Sequence, residues 1–272
     1  MTTAIPDIRD HFGFTALPFT REIEVSRRFS HPTLEETLTA LRQVVEHRMS
    51  GVLIAPAGAG KTLALRALVE DLPEARYRVT YIKVTGVGKR DMCRELALAL
   101  GCASAGQYNT LIRRLQEHLV ATTAQDGVRP VLLVDEAHDM PVEVLSMFRI
   151  LTNFEMDSRL VVSVLLVGQP RLSQMLKRDE LEALSRRLSH VATLRNLSRE
   201  EARAYILHRM AIVGARGELF AEMAIEALFE LARGNLRATD TLAFKALHLA
   251  AAAKAPVVDA NHVALARSQV LS

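Results

Sequence analysis

Val52-Leu53-Ile54-Ala55-Pro56-Ala57-Gly58-Ala59-Gly60-Lys61-Thr62-Leu63 decides the fold. The first four residues are an apolar run too short for a helix, and Thr62 to Leu72 carries helical spacing. A strand, a glycine turn and a helix in that order form the setting a nucleotide phosphate loop needs. Gly58 and Gly60 can take positive φ, which turns successive backbone N–H groups inward as a concave anion nest. The helix beginning near Lys61 adds the partial positive charge of its N-terminus. Lys61 can reach the β- and γ-phosphates, and the Thr62 hydroxyl can ligate Mg²⁺. The expected nucleotide contacts are therefore Pro56, Ala57, Gly58, Ala59, Gly60, Lys61, Thr62 and Leu63. The loop departs from the pattern G-x-x-x-x-G-K-[ST] at Ala55, where the pattern has Gly. The plainer alternative is a Gly-rich turn with a chance Lys-Thr.

Outward from this loop the same beat recurs. Arg78 to Thr85 reads as a strand, Lys89 to Leu100 and Tyr108 to Thr122 as helices, and Val131 to Val134 as a continuous apolar strand. Pro141 to Phe154 reads as a helix, Leu160 to Val167 as a strand, Leu172 to Arg187 as a helix and Val191 to Leu194 as a short last strand. Strands that are apolar on both faces and alternate with helices imply an α/β fold, a parallel sheet sandwiched by helices. Before the loop, Leu34, Leu38, Leu41, Val44 and Val45 mark a helix over 33–48, and 1–30 read as an irregular arm with Pro6, Gly13 and Pro18. After Leu197 only helical periods remain. Ser198-Arg199-Glu200-Glu201 has the capping-box form that opens a helix. The expected division is an N-terminal arm over 1–30, a core over 31–197 and an all-helical lid over 198–272.

Val131-Leu132-Leu133-Val134-Asp135-Glu136 removes most of the ambiguity of the loop. Four apolar residues run down the middle of a sheet and deliver two carboxylates at its C-terminal edge, where ligands of open α/β sheets bind. Asp135 would hold Mg²⁺ through its water shell, and Glu136 would polarise the water that attacks the γ-phosphate. The plainer alternative is an acidic helix cap leading into Ala137-His138-Asp139. His138, a lone histidine, reads as a surface or structural residue. Gln169, at the end of the next strand, is a candidate to sense the γ-phosphate or orient the water, or else a turn residue. Arg186 and Arg187 can complete a neighbouring subunit's site in an oligomer, or simply end a helix in solvent. Arg237, in Gly234-Asn235-Leu236-Arg237, begins a lid helix and could contact the γ-phosphate.

The composition of the 272 residues narrows the class further. Apolar residues are 49% and charged residues 24%, which excludes a disordered or collagen-like chain. Aromatic residues are 5% and there is no Trp, so the core is aliphatic. With 34 Lys+Arg against 31 Asp+Glu, net charge alone does not identify a nucleic-acid partner. Cys93 and Cys102 fit buried thiols of a reducing compartment, and no apolar run of about 18 residues spans a membrane. The N-terminus lacks the order of a signal peptide, so the expected location is the cytoplasm.

Gly60-Lys61-Thr62, Asp135-Glu136, the polar strand end Gln169, the pair Arg186/Arg187 and a helical lid with Gly-Asn-Leu-Arg, in that order, resemble an AAA+ ATPase over essentially the whole chain. A finer resemblance is to the group holding the ExeA-like secretion ATPases and the transposition regulators of the TniB, TnsC and MuB type. It is carried by Phe12-Gly13-Phe14 through Pro18-Phe19, by Val167-Gly168-Gln169-Pro170-Arg171-Leu172 and by the helix leading to Arg187. The resemblance implies ATP as ligand with Mg²⁺, and homo-oligomeric rings or filaments. By it Arg187, with Arg186 as alternate, is a finger acting in trans, Gln169 stands at the first sensor and Arg237 at the second. ExeA-like members carry a membrane segment and a wall-binding module. The stop at Ser272 makes the soluble transposition branch the expectation, with a transposase as partner and no membrane contact.

Residues 76–95 hold six basic residues, Arg76, Arg78, Lys83, Lys89, Arg90 and Arg94, against Asp91 and Glu95. Arg113-Arg114 adds a second basic pair. In the transposition ATPases, loops of this region face double-stranded DNA. By resemblance Lys89, Arg90 and Arg113, with Asn109 and Thr110 beside them, would track DNA phosphates here. Such contacts give sequence-independent, salt-sensitive affinity. The plainer alternative is a solvated helix face.

Overall fold

The computed structural model describes residues 7–20, 22–83, 86–125 and 127–270. In chain order the helices are α1 (Ile8–Phe12), α2 (Pro32–Glu46), α3 (Lys61–Asp71), α4 (Lys89–Ala99), α5 (Tyr108–Gln125), α6 (Val142–Leu151), α7 (Pro170–Met175), α8 (Glu182–Ser185), α9 (Arg199–Ala211), α10 (Glu222–Ala232), α11 (Leu236–Ala252) and α12 (Ala260–Val270). The strands are β1 (Ser50–Ile54), β2 (Tyr77–Ile82), β3 (Arg129–Val134), β4 (Ser163–Gly168) and β5 (Leu188–Thr193).

The chain divides into two compact units. The larger comprises Pro32–Ala57 and Lys61–Leu194. Its five strands lie in the order β2-β3-β4-β1-β5, every pair parallel. The central strands β1 and β4 are buried throughout, because helices cover both faces of a parallel sheet. The edge strand β5 is mostly exposed, with Ala192 its one buried residue. The core is aliphatic as composition requires: Leu96, Leu111, Leu115, Leu119, Leu132 and Leu145 are fully buried, and Phe148 is the largest side chain among them. Cys93 is buried in this core with its Sγ 3.2 Å from Met147 Sδ, and burial pushes its thiol up to about 11.

Several elements depart from the sequence reading. The strand expected from Leu160 begins at Ser163. The strand expected to reach Thr85 ends at Ile82, and Val84 and Thr85 lie outside the described residues. The single helix expected over 172–187 is broken into α7, a 3-10 turn at Asp179–Leu181 and α8. The Ser185 hydroxyl donates to the Leu176 carbonyl, satisfying an acceptor that α7 leaves open where it stops. The last strand starts at Leu188, three residues before the expected Val191.

The second unit comprises Met1–His31, Gly58–Gly60 and Arg195–Ser272. Helices α9 to α12 supply its frame, and Phe14 and Phe19 of the arm are buried in the same cluster as Ile206, Phe220, Leu228 and Leu247. Ser198 caps α9 as expected: its hydroxyl accepts from Glu201 N–H at 3.2 Å, and the Glu201 carboxylate accepts from Ser198 N–H at 2.7 Å. Arg195 also binds that carboxylate and holds it down to about 2. Arg209 is buried, donates to Thr20 O at 2.8 Å and faces Asp240 at 3.7 Å. These contacts fasten the arm to the helices and partly compensate a buried guanidinium, whose Nε is left without a hydrogen-bond partner.

Candidate nucleotide-binding site

The site grows from the C-terminal edge of the parallel sheet. Ala55 N–H donates to Gly168 O at 3.0 Å, which holds the chain beside β4 as it leaves β1. Gly58 at φ +79° and Gly60 at φ +97° then take left-handed conformations that disfavour a Cβ. Ala55 is not among the described residues with positive φ, and it is fully buried. The glycine requirement therefore falls on 58 and 60, and alanine at 55 leaves the loop its shape. The tip also leaves no space. A Cβ on Gly58 would lie 2.5 Å from Asn235 Oδ1 and 2.9 Å from Arg237 Cβ, and Arg237 N–H donates to Gly58 O at 3.2 Å. Arg237 is exposed at the start of α11, in the same unit as Gly58.

Lys61 opens α3 and is 8% exposed. Its Nζ donates to Ala55 O and Pro56 O, both at 3.3 Å, so the ammonium lies along the loop it would share with phosphates. These bonds are long and readily exchanged for charge-assisted ones. Thr62, one residue on, is exposed.

Asp135 follows β3 and extends its ladder, with its N–H donating to Ile82 O at 2.8 Å. It is 2% exposed, and its carboxylate accepts from the Tyr81 hydroxyl and from Glu136 N–H, each at 2.8 Å. Two fixed donors lock its orientation. Glu136 sits at φ 52°, ψ 33°, a left-handed conformation that costs a non-glycine residue about 1 kcal/mol or more. This turn aims its side chain differently from the strand that precedes it. Glu136 Oε1 is 4.0 Å from Lys83 Nζ. Its Oε2 is buried without a hydrogen-bond partner and lies 3.5 Å from His138 Nδ1. A buried carboxylate oxygen with no donor is unusual in a folded protein.

Gln169 caps α7 at the end of β4, and its backbone N–H donates to His138 Nδ1 at 3.4 Å. Since β3, β4 and β1 are neighbours in the sheet, Asp135, Glu136, Gln169 and Lys61 issue from three adjacent strand ends at one edge. Arg186 and Arg187 do not join them. They precede β5, which runs parallel to β1, and so stand at the opposite edge of the sheet. Arg186 is exposed and donates to Glu182 at 2.6 Å, while Arg187 is half-buried. Sequence reasoning missed Tyr81, Lys83 and His138. His138 is no surface residue: it is 5% exposed.

The expected DNA contacts are spread over α4 and α5. Lys89 begins α4 after Gly88, and the turn leaves β2 at the same sheet edge as Asp135. Arg90 donates to Gly106 O at 3.1 Å and Arg114 to Ala105 O at 2.7 Å, so two guanidiniums gather on the loop between α4 and α5. Arg113 faces outward and pairs loosely with Glu117 at 3.5 Å.

The donors suit a divalent ion. A threonine hydroxyl and a carboxylate are hard oxygen ligands of the kind Mg²⁺ takes, and it usually completes its shell with phosphates and water. Among the described residues no group of three or more His, Cys, Asp or Glu could hold a metal without such phosphates. Thr62 and Asp135 therefore fit Mg²⁺ arriving with its nucleotide.

Comparison with known proteins agrees with this geometry. Residues 42–176 match the family described as AAA domain. The chain is 30% identical over 264 residues to General secretion pathway protein A of Aeromonas hydrophila, covering 95% of this chain and 48% of that protein. It thus spans about half the length of that relative. Among solved structures, Cdc6p of Pyrobaculum aerophilum superposes with TM-score 0.73 at 18% identity, over 93% of this chain and 70% of that one. The ORC1 protein of Aeropyrum pernix, solved in complex with DNA, gives 0.68 at 17%, over 93% and 68%. The RuvB Holliday junction branch migration motor of Thermotoga maritima gives 0.60 at 16%, over 90% and 73%. The sheet order, the phosphate loop and these likenesses together show the AAA+ fold, with residues 42–176 matching the AAA domain family.

Proposed function

We propose that this protein binds and hydrolyses ATP with Mg²⁺, and that ATP assembles it into an oligomer that grips duplex DNA to regulate transposition through a transposase. The observation that carries the ATPase reading is the meeting of Lys61, Asp135, Glu136 and Gln169 at three adjacent strand ends. Lys61 and the N–H groups of the loop hold the phosphates. Mg²⁺, when bound by Thr62 and Asp135, neutralises phosphate charge. Glu136 polarises a water, whose oxygen attacks the γ-phosphorus in line as the bond to the β-phosphate oxygen breaks. Glu136 takes the proton that the water loses, Gln169 orients that water, and Arg237 contacts the γ-phosphate.

The topology supports the oligomeric reading. Arg186 and Arg187 stand at the sheet edge opposite their own Lys61, so as fingers they serve a neighbouring subunit. One subunit's basic turn at Lys89 and Arg90, with Arg113, gives little affinity; repetition along a duplex multiplies it.

A second reading rests on the 30% identity to General secretion pathway protein A. In it the same ATPase serves assembly of a secretion apparatus and does not engage DNA. Co-sedimentation with a random-sequence duplex, with a non-hydrolysable ATP analogue and at graded salt, separates the two. The DNA reading expects assembly on adding the analogue and affinity that falls steeply with salt, by about 0.9 in log–log slope per phosphate contact. It also expects Lys89→Ala with Arg90→Ala to flatten that slope. Assembly without DNA retention at any salt favours the secretion reading.

A further inference from the structure

His138 is used by none of the steps above, yet it is buried between the two strand ends that hold the site. Both of its ring nitrogens face polar groups. Nε2 lies 3.7 Å from Asp139 Oδ1. Nδ1 accepts from Gln169 N–H at 3.4 Å and lies 3.5 Å from Glu136 Oε2. The end of β4 also runs close to the backbone of the turn that carries it: a Cβ on Gly168 would sit 3.3 Å from the His138 main-chain N.

One ring nitrogen therefore has two claimants, and it can serve only one. With the proton on Nε2, toward Asp139, the Nδ1 lone pair accepts from Gln169 N–H and can give Glu136 nothing. The Gln169 N–H bond to Nδ1 fits that tautomer, which accounts for the unpartnered Glu136 Oε2. With the proton on Nδ1, the ring donates to Glu136 and releases Gln169. Changing tautomer requires no net charge, only a proton moved from one nitrogen to the other.

We propose that His138 is a positioning residue for ATP hydrolysis, coupling the base Glu136 to the strand end at Gln169 through Nδ1. While Gln169 holds Nδ1, the Glu136 carboxylate lacks a fixed donor and is not oriented on water. When the strand end shifts as Gln169 engages a γ-phosphate, its backbone N–H leaves Nδ1, and Nδ1 can then donate to Oε2, which fixes the carboxylate with Oε1 on the attacking water. Hydrolysis thus waits on a triphosphate at the strand end. The inference rests on Glu136 being the base.

Steady-state hydrolysis of Mg²⁺-ATP by the full chain tests it with four variants. His138→Ala is expected to lower kcat by about tenfold or more with KM within about twofold, since misplacing a reacting group acts on turnover. His138→Asn, whose amide reaches the Nδ1 position, restores kcat to within about threefold of the parent. His138→Gln, whose amide reaches toward Nε2, does not. Parental kcat in His138→Ala, or equal losses in the Asn and Gln variants, overturns the role of His138. If His138→Ala fails to fold, the Asn and Gln comparison still decides. Glu136→Gln separates the premises: turnover retained there, or absent in the parent, sinks the reading of Glu136 and this inference with it. A loss in Glu136→Gln with no effect at position 138 sinks only this one.

Discussion

Glu136→Gln is expected to lower ATP turnover by about 10²-fold or more while ATP affinity stays within about twofold, because general-base help is worth about 10²–10⁴. The substitution keeps shape and volume but removes the charge that draws a proton from water. The binding groups Lys61, Asp135 and the loop N–H groups are untouched, so affinity holds. The local backbone also favours a clean result. Glu136 already sits in a left-handed conformation fixed by its N–H bond to Asp135, and a glutamine keeps that bond. Its Oε2 has no donor in the structure, so removing the charge leaves no cation buried alone. Single-turnover phosphate release beside equilibrium nucleotide binding reads both quantities. Equal turnover in parent and variant contradicts the assignment.

Gly234→Ala is expected to destabilise the C-terminal helical unit by about 3 kcal/mol or more, combining a left-handed backbone with steric overlap. Gly234 has φ +70°, and a Cβ built on it falls 2.0 Å from Leu197 O and 2.9 Å from Leu197 N. These are backbone atoms and cannot rotate away. The same approach makes the Leu197 N–H to Gly234 O bond of 2.9 Å, so relieving the clash breaks the bond. Gly217 provides the control. It has φ +77° with nothing within 4 Å of the added Cβ. Gly217→Ala should therefore lose only the backbone preference, about 1 kcal/mol. Urea denaturation followed by circular dichroism compares the two. Equal midpoints for both variants would show that the Leu197 contact is not limiting.

How far the sequence could foretell this molecule depended on whether a local rule fixed each feature. The loop at 55–62 was legible because a positive-φ nest between strand and helix admits little but glycine at 58 and 60. The carboxylates of Asp135 and Glu136 were legible because an apolar strand must deliver its next residues to a sheet edge. Strand order was not. Strands buried on both faces show no alternation, so Val52–Ile54 and Val131–Val134 carry no mark of their neighbours. The break within 172–187 was hidden because Leu172, Leu176, Leu181 and Leu184 pass for a helical stripe. No Gly or Pro punctuates them, and Ser185 closes the gap by a bond that spacing does not reveal.

The arm was illegible for another reason. Phe14 and Phe19 bury themselves among residues some 190 positions later, and no pattern near them says so. Whether His138 was a surface or a structural residue stayed open because a loop histidine has no periodicity from which to infer burial. The unexpected residues at the site contact the carboxylates from β2 and the segment just after it (Tyr81 and Lys83) and from the turn that follows Glu136 itself (His138). Tertiary proximity alone identifies them.

Turnover requires a triphosphate seated on the loop at Lys61, and equilibrium dialysis of labelled ATP with Mg²⁺ against the parent and Lys61→Ala tests that directly. The prediction is saturable retention by the parent and a loss of affinity of about tenfold or more in the variant, the worth of a charge-assisted contact. No retention by the folded parent, or equal retention by both proteins, would contradict it.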